Sequence, residues 1–215
     1  MPRYLDVNSW ARKDLFSWFR HFDKPFFNVC VRLDITKLLS VLRPHPDCSV
    51  SLAYHYLALR VANEIEPFRY RLRDDRVVVH EVINGGTTVL LPNDAFVIAY
   101  FDYDPDFAKF MAAAKHRLEE ARVGDGRFRP QPHDDVIHFT TLPWIAFTSF
   151  SHARQADATD SVPKIAFGKF TKEGERMWLP FSVEVHHALV DGLHVGRYLN
   201  LFEEWLLDPE RLFSS

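Results

Sequence analysis

Apolar residues recur along the chain with two periods, one helical and one strand-like. Leu15, Phe16, Phe19 and Phe22 fall at helical spacing, which predicts a helix over residues 12–22. Phe27, Val29, Val31, Leu33 and Ile35 then alternate with Asn28, Arg32 and Asp34, the period of a half-buried strand. Thr36 is placed to cap a short helix that ends before Pro44. Ser49 is placed to cap a longer one reaching Ile65 along Leu52, Tyr56, Leu59 and Ala62. Residues 69–72 and 76–80 read as a hairpin about Asp74-Asp75. Gly85-Gly86 reads as a break before a strand over 87–91, and a buried strand follows over 95–103. Asp104-Pro105 opens a helix to about Glu120, since proline is tolerated in a first turn. Strands are predicted at 136–140 and 145–150. A hairpin then pairs 164–171 with 176–186 across Lys172-Glu173-Gly174-Glu175. The last helix carries Val195, Leu199, Phe202 and Leu206 on one face and stops at Asp208-Pro209.

Helices and strands interleave to the end, with no repeat or linker. The expected architecture is therefore α/β, a two-layer sandwich of helices on one mixed β-sheet, in a single domain over 1–215. Two polar loops, 122–135 and 151–162, interrupt it, and loops of that length inside one domain are often functional.

Charge narrows the partners. The chain has 26 Lys+Arg against 29 Asp+Glu and a net charge of −3, so neither a basic nucleic-acid tract nor a polybasic membrane patch is expected. Charged residues interrupt the first nineteen positions, so no signal-peptide core is expected. The longest apolar run, 95–101, is far short of the ~18–20 residues that cross a bilayer. Two cysteines, Cys30 and Cys48, make no disulfide framework and no zinc spacing; Cys30 is expected to be a buried, inert thiol. The expected setting is cytoplasmic. Aromatic residues, 14% of the chain and mostly Phe, point to a large core, a subunit interface or a pocket for an aromatic ligand.

The segment that carries chemistry is Val183-Glu184-Val185-His186-His187-Ala188-Leu189-Val190-Asp191-Gly192-Leu193-His194. Met177, Leu179, Phe181, Val183 and Val185 share one strand face, and His187 continues it; His186 belongs with Ser182 and Glu184 on the other. A histidine that extends an apolar face at a strand's end is suited to accept a proton. Three readings stay open on these residues alone. His187 is a core histidine beside a surface one, or His187, Asp191 and His194 hold a metal at i, i+4 and i+7, or His187 is a general base organised by Asp191.

His186-His187-Ala188-Leu189-Val190-Asp191-Gly192 resembles the HHxxxDG signature of CoA-dependent acyltransferases. Other blocks resemble chloramphenicol acetyltransferases, in that family's order and over essentially the whole chain. They include Asn8-Ser9-Trp10-Ala11-Arg12-Lys13, Phe19-Arg20-His21, Asp34-Ile35-Thr36, Arg73-Asp74-Asp75, Leu142-Pro143-Trp144 and Lys172-Glu173-Gly174. The resemblance implies a chloramphenicol acetyltransferase-like fold and an O-acetyl transfer with acetyl-CoA as co-substrate, without a metal or a tightly bound cofactor. His187 would be the general base, Asp191 would pair with Arg12, and Thr140 would stand where the family has an oxyanion-stabilising serine. Trp144, Lys169 and Phe170 would lie at the CoA channel; Phe19, Phe27, Phe96, Ile98 and Phe128 would line the acceptor pocket. The acceptor would be chloramphenicol or another hydroxylated small molecule, and the assembly a homotrimer whose histidine faces a pocket built by its neighbour; the alternative is a catalytically weak trimeric relative that binds CoA or a ligand. Several positions depart from the family. Phe19 replaces a tyrosine, Pro25-Phe26-Phe27-Asn28 replaces Cys-Gly-Phe-Ser, Arg129 precedes Pro130-Gln131 where an aromatic is usual, Ile98 replaces a smaller residue, and Ala166 replaces a threonine.

Overall fold

A computed structural model describes residues 3–130, 133–154 and 160–214. In chain order the elements are β1 (Arg3–Tyr4), α1 (Lys13–Phe19), β2 (Phe26–Asp34), α2 (Thr36–Leu42) and α3 (Val50–Glu64). Then come β3 (Tyr70–Arg73), β4 (Arg76–Val79), β5 (Asn84–Leu90), β6 (Phe96–Phe101) and α4 (Phe107–Val123). The chain closes with β7 (Val136–Leu142), β8 (Lys164–Gly168), β9 (Thr171–Glu173), β10 (Arg176–His186) and α5 (Gly192–Leu207). The main sheet runs β2-β10-β8-β7-β5-β6, with β9 added to β10; a small sheet, β1-β4-β3, stands apart. The β5–β7 and β7–β8 pairs are parallel and the others antiparallel, so the sheet is mixed and the fold is α/β.

The strand period decides the core. Leu179, Phe181, Val183 and Val185 of β10 bury with Ile165 and Phe167 of β8 and Ile137 and Phe139 of β7 against α3 and α5. Many phenylalanines find their place in this layer. Phe181 packs on Phe167 and Phe202, and Phe68 stacks on Tyr198 at 4.4 Å between ring centres. The Tyr198 hydroxyl, fully buried, donates to Ala58 O at 3.0 Å, so its polar atom is satisfied. Arg71 is also fully buried; its guanidinium donates to the carbonyls of Phe68, Tyr70 and Val136, tying the small sheet to the start of β7.

Ser49 caps α3 as its position predicts, accepting from Leu52 N. Other boundaries move for physical reasons. Thr36 is not a cap but the first residue of α2; its N–H and hydroxyl both donate to Asp34 Oδ1. Helix α1 is shorter than the 12–22 period suggests. Asp106, not Asp104-Pro105, caps α4 by accepting from Ala108 N and Lys109 N. Gly85 and Gly86 do not break the chain but lie inside β5, where a Cβ at Gly85 would sit 2.4 Å from the Phe101 ring. Residues 145–150 form no strand: Ile145 N–H turns back to Leu142 O, and Lys169 N–H donates to Ile145 O, ending β8 at Gly168. Cys30 is half-buried, its thiol on Asn28 Oδ1.

The second face of the main sheet is not solvent. His186 is 2% exposed, which corrects its reading as a surface histidine. The irregular segment after β7 covers it: Arg154 ion-pairs Glu184 and Asp160, and its guanidinium lies over the Phe26 ring. Part of that segment, 155–159, lies outside the described residues, as does Gln131.

Candidate active site

Two groups of candidate residues form, on opposite faces of the main sheet. The first surrounds His187, just past the end of β10. Its N–H donates to Pro25 O at 2.6 Å, and its ring stacks on Phe19 at 3.9 Å and 13°, with Phe27 4.7 Å away. Phe27 pairs with Val185 in the β2–β10 register, which puts it on the same face as His187. Behind the ring, Arg12 donates to His187 O at 3.1 Å and Leu189 O at 3.2 Å, and its Nε lies 3.3 Å from Asp191 Oδ2. Burial lowers the Arg12 pKa, and the Asp191 charge opposes that shift. The imidazole is thus held between rings on one side and an anchored backbone on the other, an arrangement suited to delivering a base without rotamer freedom.

The turn itself is held from within. Leu189 N and Val190 N both donate to His186 O, and Ala188 N donates to His186 Nδ1 at 3.2 Å. Burial, with Arg154 adding to it, lowers the His186 pKa to about 4, so its imidazole is neutral at neutral pH and available as that acceptor. Helix α5 begins at Gly192, so His187 is not on a helical face with Asp191 and His194. His194 Nδ1 instead accepts from Asp191 N, inside the helix start. Among the described residues no three His, Cys, Asp or Glu side chains gather to hold a metal.

The second group lies on the other face. Thr140, Phe96, Ile98 and Phe128 line one cavity of about 390 Å³, with Phe96 and Phe128 edge to face at 5.7 Å. Phe128 puts an aromatic ring into this cavity, one residue before the position where the family's aromatic would stand. Arg129 turns away into an ion pair with Asp125. Trp144, Lys169 and Phe170 sit exposed beyond the ends of β7 and β8. Three residues that the motifs did not single out join this face: His138, Lys164 and Arg154. The strand parity of β7 and β8 carried that signal for the first two, since His138 pairs with Lys164 and Thr140 with Ala166.

The two groups do not meet within one chain. Thr140 pairs with Ala166, and Ala166 with Ser182, so His187 lies five residues further along β10 and two strands over. Strand geometry makes that roughly 16 Å along and 10 Å across, and the side chains leave opposite faces.

A family model for chloramphenicol acetyltransferase matches residues 3–203. The chain belongs to the chloramphenicol acetyltransferase family. Chloramphenicol acetyltransferase of Streptomyces acrimycini is 32% identical over 213 residues, covering 97% of this chain and 96% of that protein. Chloramphenicol acetyltransferase 3 of Escherichia coli is 31% identical, covering 93% and 94%. A solved chloramphenicol acetyltransferase superposes with a TM-score of 0.86 at 26% identity over 96% of this chain and all of that one. The dihydrolipoamide acetyltransferase of Azotobacter vinelandii shares the fold at a TM-score of 0.65 and 16% identity. Membership makes this chain an enzyme of the acyltransferase class. No described helix is long and apolar enough to cross a membrane.

Proposed function

We propose that this chain is a cytoplasmic acetyl-CoA-dependent O-acetyltransferase that acetylates chloramphenicol, and that it works as a homotrimer with sites shared between chains. His187 takes the proton of the acceptor hydroxyl as that oxygen attacks the thioester carbonyl. Thr140 donates to the oxygen that becomes negative, and Trp144, Lys169 and Phe170 border the CoA channel, a lysine suiting the nucleotide phosphates. Arg12 and Asp191 hold the turn that carries His187. Phe19 and Phe27 flank the acceptor from the histidine side, with Phe96, Ile98 and Phe128 on the facing chain.

The observation that carries this reading is the separation of His187 from Thr140. A base and an oxyanion donor on opposite faces of one sheet can act on one carbonyl only if a second copy supplies one of them. The test is thiol release from acetyl-CoA with and without chloramphenicol. Acceptor-dependent release that disappears in His187→Ala is expected; release equal with and without chloramphenicol sinks the antibiotic reading. Light scattering should give three chains. Co-expressing His187→Ala with Thr140→Val chains should restore activity to roughly a quarter of the sites by random mixing. Mixed trimers as inactive as either parent would refute the shared site.

A further inference from the structure

We propose that His186 is a positioning residue for His187. Its carbonyl oxygen and its ring Nδ1 lock the peptide groups on either side of the His187 Cα, and the second lock needs the tautomer whose proton sits on Nε2. The catalytic meaning of that lock rests on the acetyltransferase reading; the lock itself does not.

Among the described residues none partners His187 Nδ1, so no hydrogen bond to the ring sets its direction. The Phe19 and Phe27 rings confine it, and the remaining control is the backbone, whose φ and ψ at residue 187 aim Cβ. Both flanking peptide planes are held at both ends. Before the Cα, His187 N–H donates to Pro25 O at 2.6 Å, and His186 O accepts from Leu189 N at 3.0 Å and Val190 N at 2.9 Å. After it, His187 O accepts from Arg12 at 3.1 Å, and Ala188 N–H donates to His186 Nδ1 at 3.2 Å. His186 thus takes three of the four N–H groups from 187 to 190 and holds one end of each plane.

The fold fixes the imidazole that does this. Strand parity sends it to the face opposite His187, where it is 2% exposed. Phe26, its partner in the register, meets it edge to face at 5.0 Å, and the Arg154 guanidinium lies 3.6 Å from the centre of the Phe26 ring. A ring enclosed in this way keeps one rotamer. Burial, with the Arg154 charge adding to it, lowers its pKa to about 4, which keeps the Nδ1 lone pair free at neutral pH. A proton on Nδ1 would instead face the Ala188 N–H, and because Ala188 is fully buried its N–H would have no water to turn to. Without the Nδ1 acceptor, Arg12 alone holds the His187–Ala188 peptide. The ψ of residue 187 then loosens, and the aim of the His187 ring loosens with it.

The test compares substitutions at His186, with kcat and KM read from thiol release with acetyl-CoA and chloramphenicol and folding read from Tm. An asparagine Oδ1 overlays Nδ1, whereas a glutamine oxygen falls at the Nε2 position. His186→Leu and His186→Gln should lose kcat by about tenfold or more with KM changed less than about threefold, because no substrate contact is removed. His186→Asn should recover most of that loss. Full kcat in the Leu or Gln variant overturns the proposal, as does an Asn variant no better than Gln at equal Tm. NMR of isotope-labelled histidine reads the lock in the unaltered protein, since His186-His187 is the one His-His pair in the sequence and can be assigned as such. A proton on Nε2 and a bare Nδ1 are expected for His186; a protonated Nδ1 overturns the lock without any variant. An unaltered protein that transfers acetyl to no acceptor refutes the acetyltransferase, and the lock then stands or falls on the NMR result.

Discussion

Replacing Arg12 by Met removes three contacts at once and keeps a side chain of similar length. The lost partners are His187 O at 3.1 Å, Leu189 O at 3.2 Å and Asp191 Oδ2 at 3.3 Å. A hydrogen bond from a charged donor contributes about 1.5–3 kcal/mol. Leaving a fully buried ion without its partner costs about 3–5 kcal/mol, but Asp191 is 27% exposed and solvent recovers part of that. The expected loss is about 3 kcal/mol, or on the order of 6–12 °C in Tm for a chain of this length. Activity should fall further than stability. The freed His187 carbonyl lets the ring shift, and a displacement of about 1 Å costs on the order of a hundredfold in kcat. Asp191→Asn should be milder, about 1 kcal/mol and less than about tenfold in kcat, because Arg12 keeps both carbonyl acceptors. Thermal unfolding by circular dichroism and thiol release at saturating acetyl-CoA read the two effects. An Arg12→Met protein that melts within about 2 °C of the parent and keeps half its kcat would refute the anchoring argument. An Asp191→Asn protein more damaged than Arg12→Met would also refute it, by making the ion pair and not the carbonyls the anchor.

Phe19→Ala removes the ring stacked at 3.9 Å on His187; kcat should drop about tenfold with little change in Tm, and an unchanged kcat would mean the stack is only packing. Gly85→Ala brings a Cβ to 2.4 Å from the Phe101 ring and should destabilise by about 1–3 kcal/mol, partly relieved by Phe101→Leu in the same chain; thermal melts decide both. Burial would raise the Glu184 pKa, but hydrogen bonds from His152 and Arg154 outweigh it and hold the carboxyl at about 2. Its folded value lies below the unfolded one, so the stabilisation is present above pH 4.5 and lost as pH falls from there to about 2; Glu184→Gln should remove that acid-dependent loss in a pH series of melts. Burial lowers the His55 pKa to about 3, so the unfolded chain binds the extra proton first and stability falls as pH drops from 6.5 towards 3; His55→Leu should flatten that range.

Much of the fold was legible in the order of residues. The strand period over 176–186 sorted Leu179, Phe181, Val183 and Val185 from Ser182, Glu184 and His186, and that division is the division between the two faces. Serine before an apolar run marked the cap of α3, because capping is a contact within one turn. Local rules failed where a distant partner decided. The glycines at 85 and 86 read as a break, yet they are strand residues kept small by the rings directly opposite them on the adjacent strand, Phe101 and Tyr100. Residues 145–150 have strand composition but form no strand: Ile145 N–H turns back to Leu142 O, and Ile145 O accepts from the distant Lys169 N–H.

The site divides in the same way. Sequence by itself determined which residue types were available: a histidine ending an apolar face, an aspartate four residues on, and an aromatic excess concentrated in Phe. Only the tertiary structure decided that Arg12 reaches across to close the turn, that Phe19 lies flat on His187, and that Phe128 replaces Arg129 at the cavity. It also decided that His187 and Thr140 stand on opposite faces, and that His138, Lys164 and Glu184 are register neighbours on the face that carries Thr140. The physical reason is range. Period, caps and turns are set by neighbours along the chain, whereas burial, charge balance and convergence are set by whatever the sheet order brings alongside.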